Sequence, residues 1–283
     1  MKKITIFTIL TLIILLAGCS SNSTNTQEKD EKIKVGIRNY ELRTWEFLKE
    51  QAKKEGLEIE IVNFSSAYDP NEALINGDVD VNAFQHVAYL DSFNSKNNTN
   101  LVPIGTTIIA PIGLYSTKYK TIDEIPDGAQ IAVPNDQSNW GRALLLLQEA
   151  KLLTVVDDFD GNWGADKIKD NPKKLEIVPV DSASTPRVME DTAGSVINNG
   201  VAVEAGLSLK DALIHENKTA KPYINIIAAK KENLENKTFQ KLVNIYQSEE
   251  TEKFIEDTYK GNYIPTFITL DELSQYKETY SNK

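Results

Sequence analysis

The chain has 283 residues, with 31 lysines and arginines against 41 aspartates and glutamates, so its formal net charge at pH 7 is −10. This length is sufficient for two lobes, each with its own hydrophobic core. The acidic balance argues against nucleic acid as a partner, because phosphate binding requires a basic face.

The N-terminus has the pattern of a bacterial lipoprotein signal. Two lysines precede an apolar run over residues 4–16, which is short for a membrane-spanning helix. The run leads to Leu-Ala-Gly-Cys, and Cys19 is the only cysteine of the chain. Because this string resembles a lipobox, we expect residues 1–18 to be removed and Cys19 to be lipidated. Two acyl chains would anchor the protein stably on the extracytoplasmic face of the cell membrane. The alternative is a plain signal peptide with an incidental cysteine.

Residues 19–32 then form a polar, flexible tether, and the folded part begins with an alternating strand pattern at 33–37. A helix is predicted over 44–55 and ends at Gly56, and a strand follows over 57–64. Asp69 and Pro70 have the character of a helix cap and first turn, and a third strand is predicted over 79–84. Strands that alternate with helices in this way are typical of a parallel sheet covered on both faces.

The alternation resumes after Pro111, which interrupts an extended segment over 106–116. Strands are predicted at 129–134, 175–180, 196–197 and 222–229, and helices at 142–150, 239–246 and 251–259. The sequence therefore predicts an α/β protein with two lobes. Ligands of such sheets bind beyond the carboxyl ends of the strands, and two facing lobes form a cleft that can close by a hinge motion.

Arg142 is the strongest single candidate for a ligand contact. It follows Gly141 at the start of a helix, where free backbone N–H groups and the helix dipole favour a ligand carboxylate. The alternative is a surface arginine. Three aromatic residues lie near strand ends: Tyr68, Phe84 and Tyr89. They could enclose an apolar ligand side chain, and sulfur–aromatic contacts would then favour a thioether. The alternative is that they are ordinary core residues.

His86 has no second histidine or cysteine near it, so we predict no metal site. It could hydrogen-bond a ligand or be a satisfied buried histidine. No catalytic triad order, Gly-rich phosphate loop or cysteine nucleophile is present. We therefore expect neither an enzyme nor a cofactor.

Three segments resemble the methionine-binding lipoproteins of the NlpA family, the solute receptors of methionine ABC importers: residues 82–86 (NAFQH), 134–148 (PNDQSNWGRALLLLQ) and 222–225 (PYIN). The resemblance implies a two-lobed type II periplasmic-binding-protein fold with two hinge strands, near residues 110–116 and 223–229. Lobe 1 would comprise residues 33–115 and 226–283, and lobe 2 residues 116–225. It also implies a monomer that works with an ABC permease and its ATPase.

The same resemblance implies roles for individual residues. The family's carboxylate-binding arginine corresponds to Arg142. The asparagines that hold the ligand's amino and carboxylate groups correspond to Asn139, Asn198 and Asn225. The residues around the thioether correspond to Tyr68, Phe84, His86 and Tyr89.

Some positions depart from the family pattern near the main-chain end of the ligand. Trp140 stands where smaller residues are usual, and we expect its fluorescence to respond to ligand. A tyrosine usual after Val-Ile-Asn is replaced by Asn199-Gly200-Val201, which would enlarge the cleft. A methionine-containing dipeptide such as glycyl-methionine is therefore an alternative ligand. An enzyme or a non-transport surface lipoprotein on the same fold is the alternative of a different class.

Overall fold

A computed structural model describes residues 31–65, 68–161, 164–217 and 221–277. The predicted signal peptide, Cys19 and nearly all of the tether lie outside these residues. No helix in the described ranges combines the length and apolar character that crossing a bilayer requires.

The strands are β1 (Glu31–Arg38), β2 (Leu57–Phe64), β3 (Val81–His86), β4 (Leu101–Ile109), β5 (Gly113–Tyr115), β6 (Gln130–Pro134), β7 (Thr154–Val155), β8 (Ile168–Asp170), β9 (Glu176–Val180), β10 (Gly194–Ile197), β11 (Ile214–His215), β12 (Ile224–Lys230) and β13 (Ile264–Pro265). The α-helices are α1 (Leu42–Lys54), α2 (Pro70–Asn76), α3 (Val87–Asn97), α4 (Gln137–Glu149), α5 (Thr185–Val188), α6 (Asn199–Glu204), α7 (Lys237–Tyr246), α8 (Glu249–Tyr259) and α9 (Leu270–Ser274). A 3-10 helix over Asn39–Glu41 lines the cleft, and another over Lys221–Tyr223 directly precedes β12.

Two sheets organise these elements, and we call the part around each sheet a lobe. Lobe 1 has a six-stranded sheet in the order β13-β4-β12-β3-β1-β2, and lobe 2 has a five-stranded sheet in the order β11-β5-β10-β6-β9. In each sheet three neighbouring strands are parallel, and the next strand, β12 or β5, is antiparallel. The two sheets therefore share this arrangement, and the lobe 1 sheet has a second antiparallel strand, β13, at its edge.

The chain passes between the sheets twice. Residues 110–112 lead from β4 to β5, and the segment after β11 leads back to β12. The predicted boundary after residue 115 placed β5 in lobe 1, whereas β5 pairs with β10 and β11 of lobe 2. The reason is that the extended segment breaks at Pro111, before β5 begins. Movement of the lobes about these two crossings stays a prediction.

Both faces of the lobe 1 sheet are covered, as the alternation of helices and strands predicts. Ile33, Val35 and Ile37 of β1 are fully buried in a core with Trp45 of α1, while Leu74 of α2 lies in a separate core on the opposite face. Lobe 2 has a third core around the leucines of α4. These cores hold the carboxyl ends of the strands in fixed positions along the cleft.

Candidate functional site

A cleft of about 970 Å³ lies between the lobes, at the carboxyl ends of the central strands. Its size is at the upper end of the usual range for small-molecule sites. Lobe 1 contributes Phe84 and His86, and lobe 2 contributes Asn139, Arg142 and Asn198. The cleft is therefore lined by residues that lie far apart in the sequence.

Asp136 organises the start of α4. It caps the helix by accepting a hydrogen bond from the backbone N–H of Asn139 (3.0 Å), and both of its carboxylate oxygens accept from Asn139 Nδ2 (3.0 Å each). Burial raises the pKa of Asp136. With its amide nitrogen held in this way, Asn139 presents its side-chain oxygen to the cleft.

That oxygen joins the two lobes. Asn139 Oδ1 accepts a hydrogen bond from Asn198 Nδ2 (2.8 Å) and lies 3.2 Å from His86 Nε2. His86 Nδ1 accepts from the backbone N–H of Tyr89 (3.1 Å), so the ring proton is on Nε2 and is donated to Asn139. Burial, and then the charge of Arg142, lower the pKa of His86 to about 3. The histidine is therefore neutral at physiological pH.

Arg142 is only 2% exposed, and it is paired with Glu216. Its Nε donates to Glu216 Oε1 (2.8 Å), and its Nη2 donates to Glu216 Oε2 (2.5 Å) and to the carbonyl of Ala110 (3.0 Å). The guanidinium lies 4.2 Å from the centre of the Tyr223 ring. The third guanidinium nitrogen, Nη1, makes no hydrogen bond to a described residue. The Nη1 edge of the guanidinium is therefore the one available to a ligand.

Glu216 was not identified from the sequence. Its carboxylate also accepts from the backbone N–H of Ile112 (3.1 Å), so it connects the two crossings between the lobes. A single glutamate in a connecting segment has no spacing pattern that marks it, and contact with Arg142 arises only in the folded chain.

Two of the predicted aromatic residues form one wall of the cleft. Phe84 and Tyr89 meet edge to face with ring centroids 5.7 Å apart, and His86 contacts Tyr89 in the same manner. The Tyr89 hydroxyl donates to Asp69, the N-cap of α2 (2.8 Å), and Arg38 lies over the Phe84 ring at 5.5 Å. The wall can therefore pack against an apolar ligand group.

The other predicted residues are placed differently. Asn225 lines the cleft where β12 pairs with His86 of β3, and its side chain makes no hydrogen bond to a described residue. Tyr68 is not among the cleft-lining residues: its ring packs on Phe64 (5.6 Å) and its hydroxyl accepts from Asn76 Nδ2 (3.2 Å). Because Tyr68 directly precedes the cap of α2, it turns into the core beside that helix.

Trp140 also turns away from the cleft. A Cβ on Gly164 would lie 3.0 Å from the Trp140 ring, and the ring packs against the core of lobe 2. The fluorescence response expected from its place in the sequence therefore has no support in its position, because Trp140 is not among the residues that line the cleft.

A second part of the cleft contains polar atoms without partners among the described residues. Glu41 is 4% exposed, and no described residue hydrogen-bonds its carboxyl group. Asn199 Oδ1 and the Tyr263 hydroxyl are buried without a hydrogen-bond partner in the described part of the chain, and both residues line the same cleft. We call this region the Glu41 end, and the region around Arg142, Glu216, Asn139 and His86 the Arg142 end.

The lobes touch each other at the Glu41 end. Asn39 donates to Glu204 of α6 (2.7 Å), and Asn199 Nδ2 donates to the carbonyl of Asn262 (2.6 Å). A Cβ on Gly200 would lie 2.6 Å from the Tyr40 ring, so only glycine permits this approach without displacing the ring. Within the described residues, no group of three histidine, cysteine or acidic side chains is arranged to hold a metal ion.

A family model described as NlpA lipoprotein matches residues 33–267. The chain belongs to the NlpA lipoprotein family. It is 34% identical to the "Uncharacterized lipoprotein YhcJ" of Bacillus subtilis, over 97% of each chain. It is 38% identical to the "D-methionine-binding lipoprotein MetQ" of Escherichia coli K12, over 89% of this chain and 93% of the relative.

Solved structures of this family confirm the predicted fold class. A nutrient-binding protein from Burkholderia cenocepacia, whose structure is described as bound to methionine, is 40% identical and superposes with a TM-score of 0.80. The superposition covers 83% of this chain and 100% of the other. The two-lobed α/β architecture is thus that of the substrate-binding proteins.

Proposed function

We propose that this protein is a lipid-anchored, extracytoplasmic solute-binding protein that captures methionine for an ABC importer. One observation carries the proposal: in an NlpA-family chain, a single cleft contains both the buried guanidinium of Arg142 and the aromatic wall of Phe84 and Tyr89. The names of its relatives, "D-methionine-binding lipoprotein MetQ" among them, support the choice of ligand.

In this proposal the ligand carboxylate binds the Nη1 edge of Arg142. Glu216 holds the other edge, which fixes the plane of the guanidinium and prevents it from rotating when the cleft is empty. Glu216 also neutralises the arginine, so the site is not left with an unpaired buried charge. Asn139, Asn198 and Asn225 supply amide groups around the ligand's amino and carboxylate groups.

The ligand side chain then lies against the aromatic wall. Phe84 and Tyr89 offer ring edges and faces to a thioether, and sulfur–aromatic contacts of this kind stabilise binding by about 0.3–1.5 kcal/mol. Neutral His86 adds a polarisable ring without the cost of desolvating a charge. Tyr68 supports this wall from outside the cleft, through α2 and Asp69, rather than touching the ligand.

Delivery completes the proposed function. Lipidated Cys19 anchors the protein, the tether gives the lobes reach, and a membrane permease with its ATPase receives the ligand from the monomer. The ligand leaves chemically unchanged, so no catalytic group is required.

Calorimetric titration tests the proposal. L-methionine or D-methionine should bind the wild type, and Arg142→Ala should weaken binding at least about tenfold, because losing one member of a buried charged hydrogen-bonded pair costs about 2–5 kcal/mol. Arg142→Lys keeps a charge opposite Glu216 but loses the planar fork, and it should also bind weakly while staying folded. Arg187→Ala, at an exposed arginine that lines the same cleft, is the matched control. Failure of the wild type to bind either enantiomer contradicts the proposal.

A further inference from the structure

Asn262 of lobe 1 makes two hydrogen bonds to lobe 2. It lies between α8 and β13, and it is not among the residues that line the cleft. Its side-chain oxygen accepts from the backbone N–H of Leu209 (2.9 Å), and its carbonyl accepts from Asn199 Nδ2 (2.6 Å). Helix α6 begins with Asn199, and Leu209 follows the end of this helix. Asn262 therefore holds both ends of one lobe 2 segment, residues 199–209, against lobe 1.

Lobe 1 fixes the position of Asn262. The backbone N–H and Nδ2 of Asn262 both donate to the carbonyl of Tyr259, the last residue of α8 (2.9 Å each). Gly261 permits this turn because its φ is +91°, and the next residue after Asn262, Tyr263, is 2% exposed. Because the side-chain nitrogen is bound to α8, the side-chain oxygen is left to accept from lobe 2.

The N–H of Leu209 finds its acceptor across the cleft. Leu209 is the first residue of a 3-10 helix over Leu209–Asp211, so its N–H has no acceptor within that helix. The N–H of the preceding residue, Ser208, donates to the Asp211 carboxylate (2.8 Å). Lobe 2 thus pairs the Ser208 N–H by itself, whereas the acceptor that the structure shows for the Leu209 N–H belongs to lobe 1. Separation of the lobes would break this hydrogen bond.

The segment that Asn262 holds begins beside the Arg142 end of the cleft. Asn198 directly precedes α6 and donates to Asn139 Oδ1 (2.8 Å). We propose that Asn262 is a positioning residue, which keeps the cleft closed around its ligand by holding α6 against lobe 1. The inference rests on the proposed function, because it requires the lobes to separate when the ligand leaves. A contact made only in the closed form slows ligand release and leaves entry into the open cleft nearly unchanged.

Ligand kinetics test this role. Exchange of bound radiolabelled L-methionine for excess unlabelled L-methionine gives the release rate, and calorimetry gives the affinity; D-methionine serves if the wild type binds only that enantiomer. Asn262→Ala should raise the release rate about threefold to tenfold, as the loss of one or two neutral hydrogen bonds predicts. The affinity should fall by the same factor, so the association rate should change less than about twofold.

Leu209→Pro tests the same hydrogen bond from lobe 2. Proline has no N–H and is well tolerated at the first residue of a helix, so this change removes the donor and leaves Asn262 intact. It should also raise the release rate at least about threefold. The double variant should release ligand at most about twofold faster than Asn262→Ala alone, because the two changes remove one shared bond.

Asn171→Ala is the matched control. Asn171 also makes two side-chain hydrogen bonds to backbone groups, both to Leu175 (2.9 Å each), and these two residues belong to the same lobe. This variant should lower the free energy of unfolding and keep the release rate of the wild type.

The outcomes separate the two proposals. Release rates that stay within about twofold of the wild type in Asn262→Ala and Leu209→Pro overturn the positioning role, and the proposed function stands without it. An equal rise in Asn171→Ala also overturns the positioning role, because a general loss of stability would then explain the effect. If the wild type binds neither enantiomer of methionine, both proposals are overturned.

Discussion

At the Arg142 end of the cleft, the polar groups that the fold buries find partners within the protein. Asp136 holds Asn139, Asn139 holds Asn198 and His86, and Glu216 holds Arg142. At the Glu41 end the fold buries a carboxyl group, an amide oxygen and a hydroxyl, and none of them has a hydrogen-bond partner among the residues that the structure describes. The first arrangement stabilises the empty protein, whereas the second destabilises it. The comparison teaches that one cleft can be pre-organised by its own contacts at one end and hold buried polar groups without such contacts at the other.

Breaking the ion pair at the Arg142 end should have the largest effect. Glu216→Leu leaves a buried guanidinium without its counter-charge, so we expect the free energy of unfolding to fall by about 3–5 kcal/mol in urea titrations. The double variant Arg142→Met/Glu216→Leu removes both charges and should recover at least half of the loss. A change below about 1 kcal/mol for Glu216→Leu would show that the pair contributes little to the fold.

Removing the carboxyl group at the Glu41 end should instead raise the free energy of unfolding. Burial raises the pKa of Glu41 to about 8 from its ordinary 4.5, so the folded state binds this proton more tightly than the unfolded state. The stability that the proton provides is complete below pH 4.5 and is lost as the pH rises toward 8. Glu41→Gln should therefore gain about 3 kcal/mol over the wild type between pH 4.5 and pH 7, at about 1.4 kcal/mol per pH unit.

Urea unfolding of both proteins at the two pH values measures this gain. Glu72→Gln, at an exposed carboxylate that lines the same cleft, is the control and should show little pH-dependent difference from the wild type. If the free energy of unfolding varied with pH in the same way for Glu41→Gln and the wild type, the carboxyl group of Glu41 would have a hydrogen-bond partner. The contrast between the two ends of the cleft would then disappear.

His86 allows a smaller test at the Arg142 end. Its pKa is lowered to about 3 from 6.5, so the folded protein disfavours the imidazolium, and stability is present above pH 6.5 and lost as the pH falls toward 3. Between pH 7 and pH 5 the wild type should lose about 2 kcal/mol more than His86→Gln. His215→Gln, at the chain's second histidine, is the matched control. Equal losses for all three proteins would place His86 in a solvated environment.

The sequence indicated the architecture because its signals are local. The alternation in β1, the Asp69–Pro70 cap of α2 and the break at Pro111 each act on neighbouring residues, and the structure has elements at these places. Helix α3 was missed for a local reason as well. Its N-cap is His86, whose ring accepts a hydrogen bond from Tyr89, and histidine is not among the residues that usually mark a helix start.

The cleft was predictable only where the residue type itself suggested a role. Arg142 and Phe84 attract notice as an arginine at a helix start and an aromatic at a strand end, whereas the role of Asn139 was implied only by the family resemblance. Glu216 and Glu41 are two among many acidic residues, and nothing in their spacing distinguishes them. Their importance comes from burial and from partners, or the lack of them, across distant parts of the chain.

Gly200 has a practical consequence that follows from its closeness to the Tyr40 ring. A methyl group at this position would push apart α6 and the 3-10 helix of Asn39–Glu41, which lie on opposite sides of the cleft. If the lobes move about the two crossings as predicted, Gly200→Ala should keep them further apart without altering a ligand contact at the Arg142 end, and so yield a protein that cannot close fully.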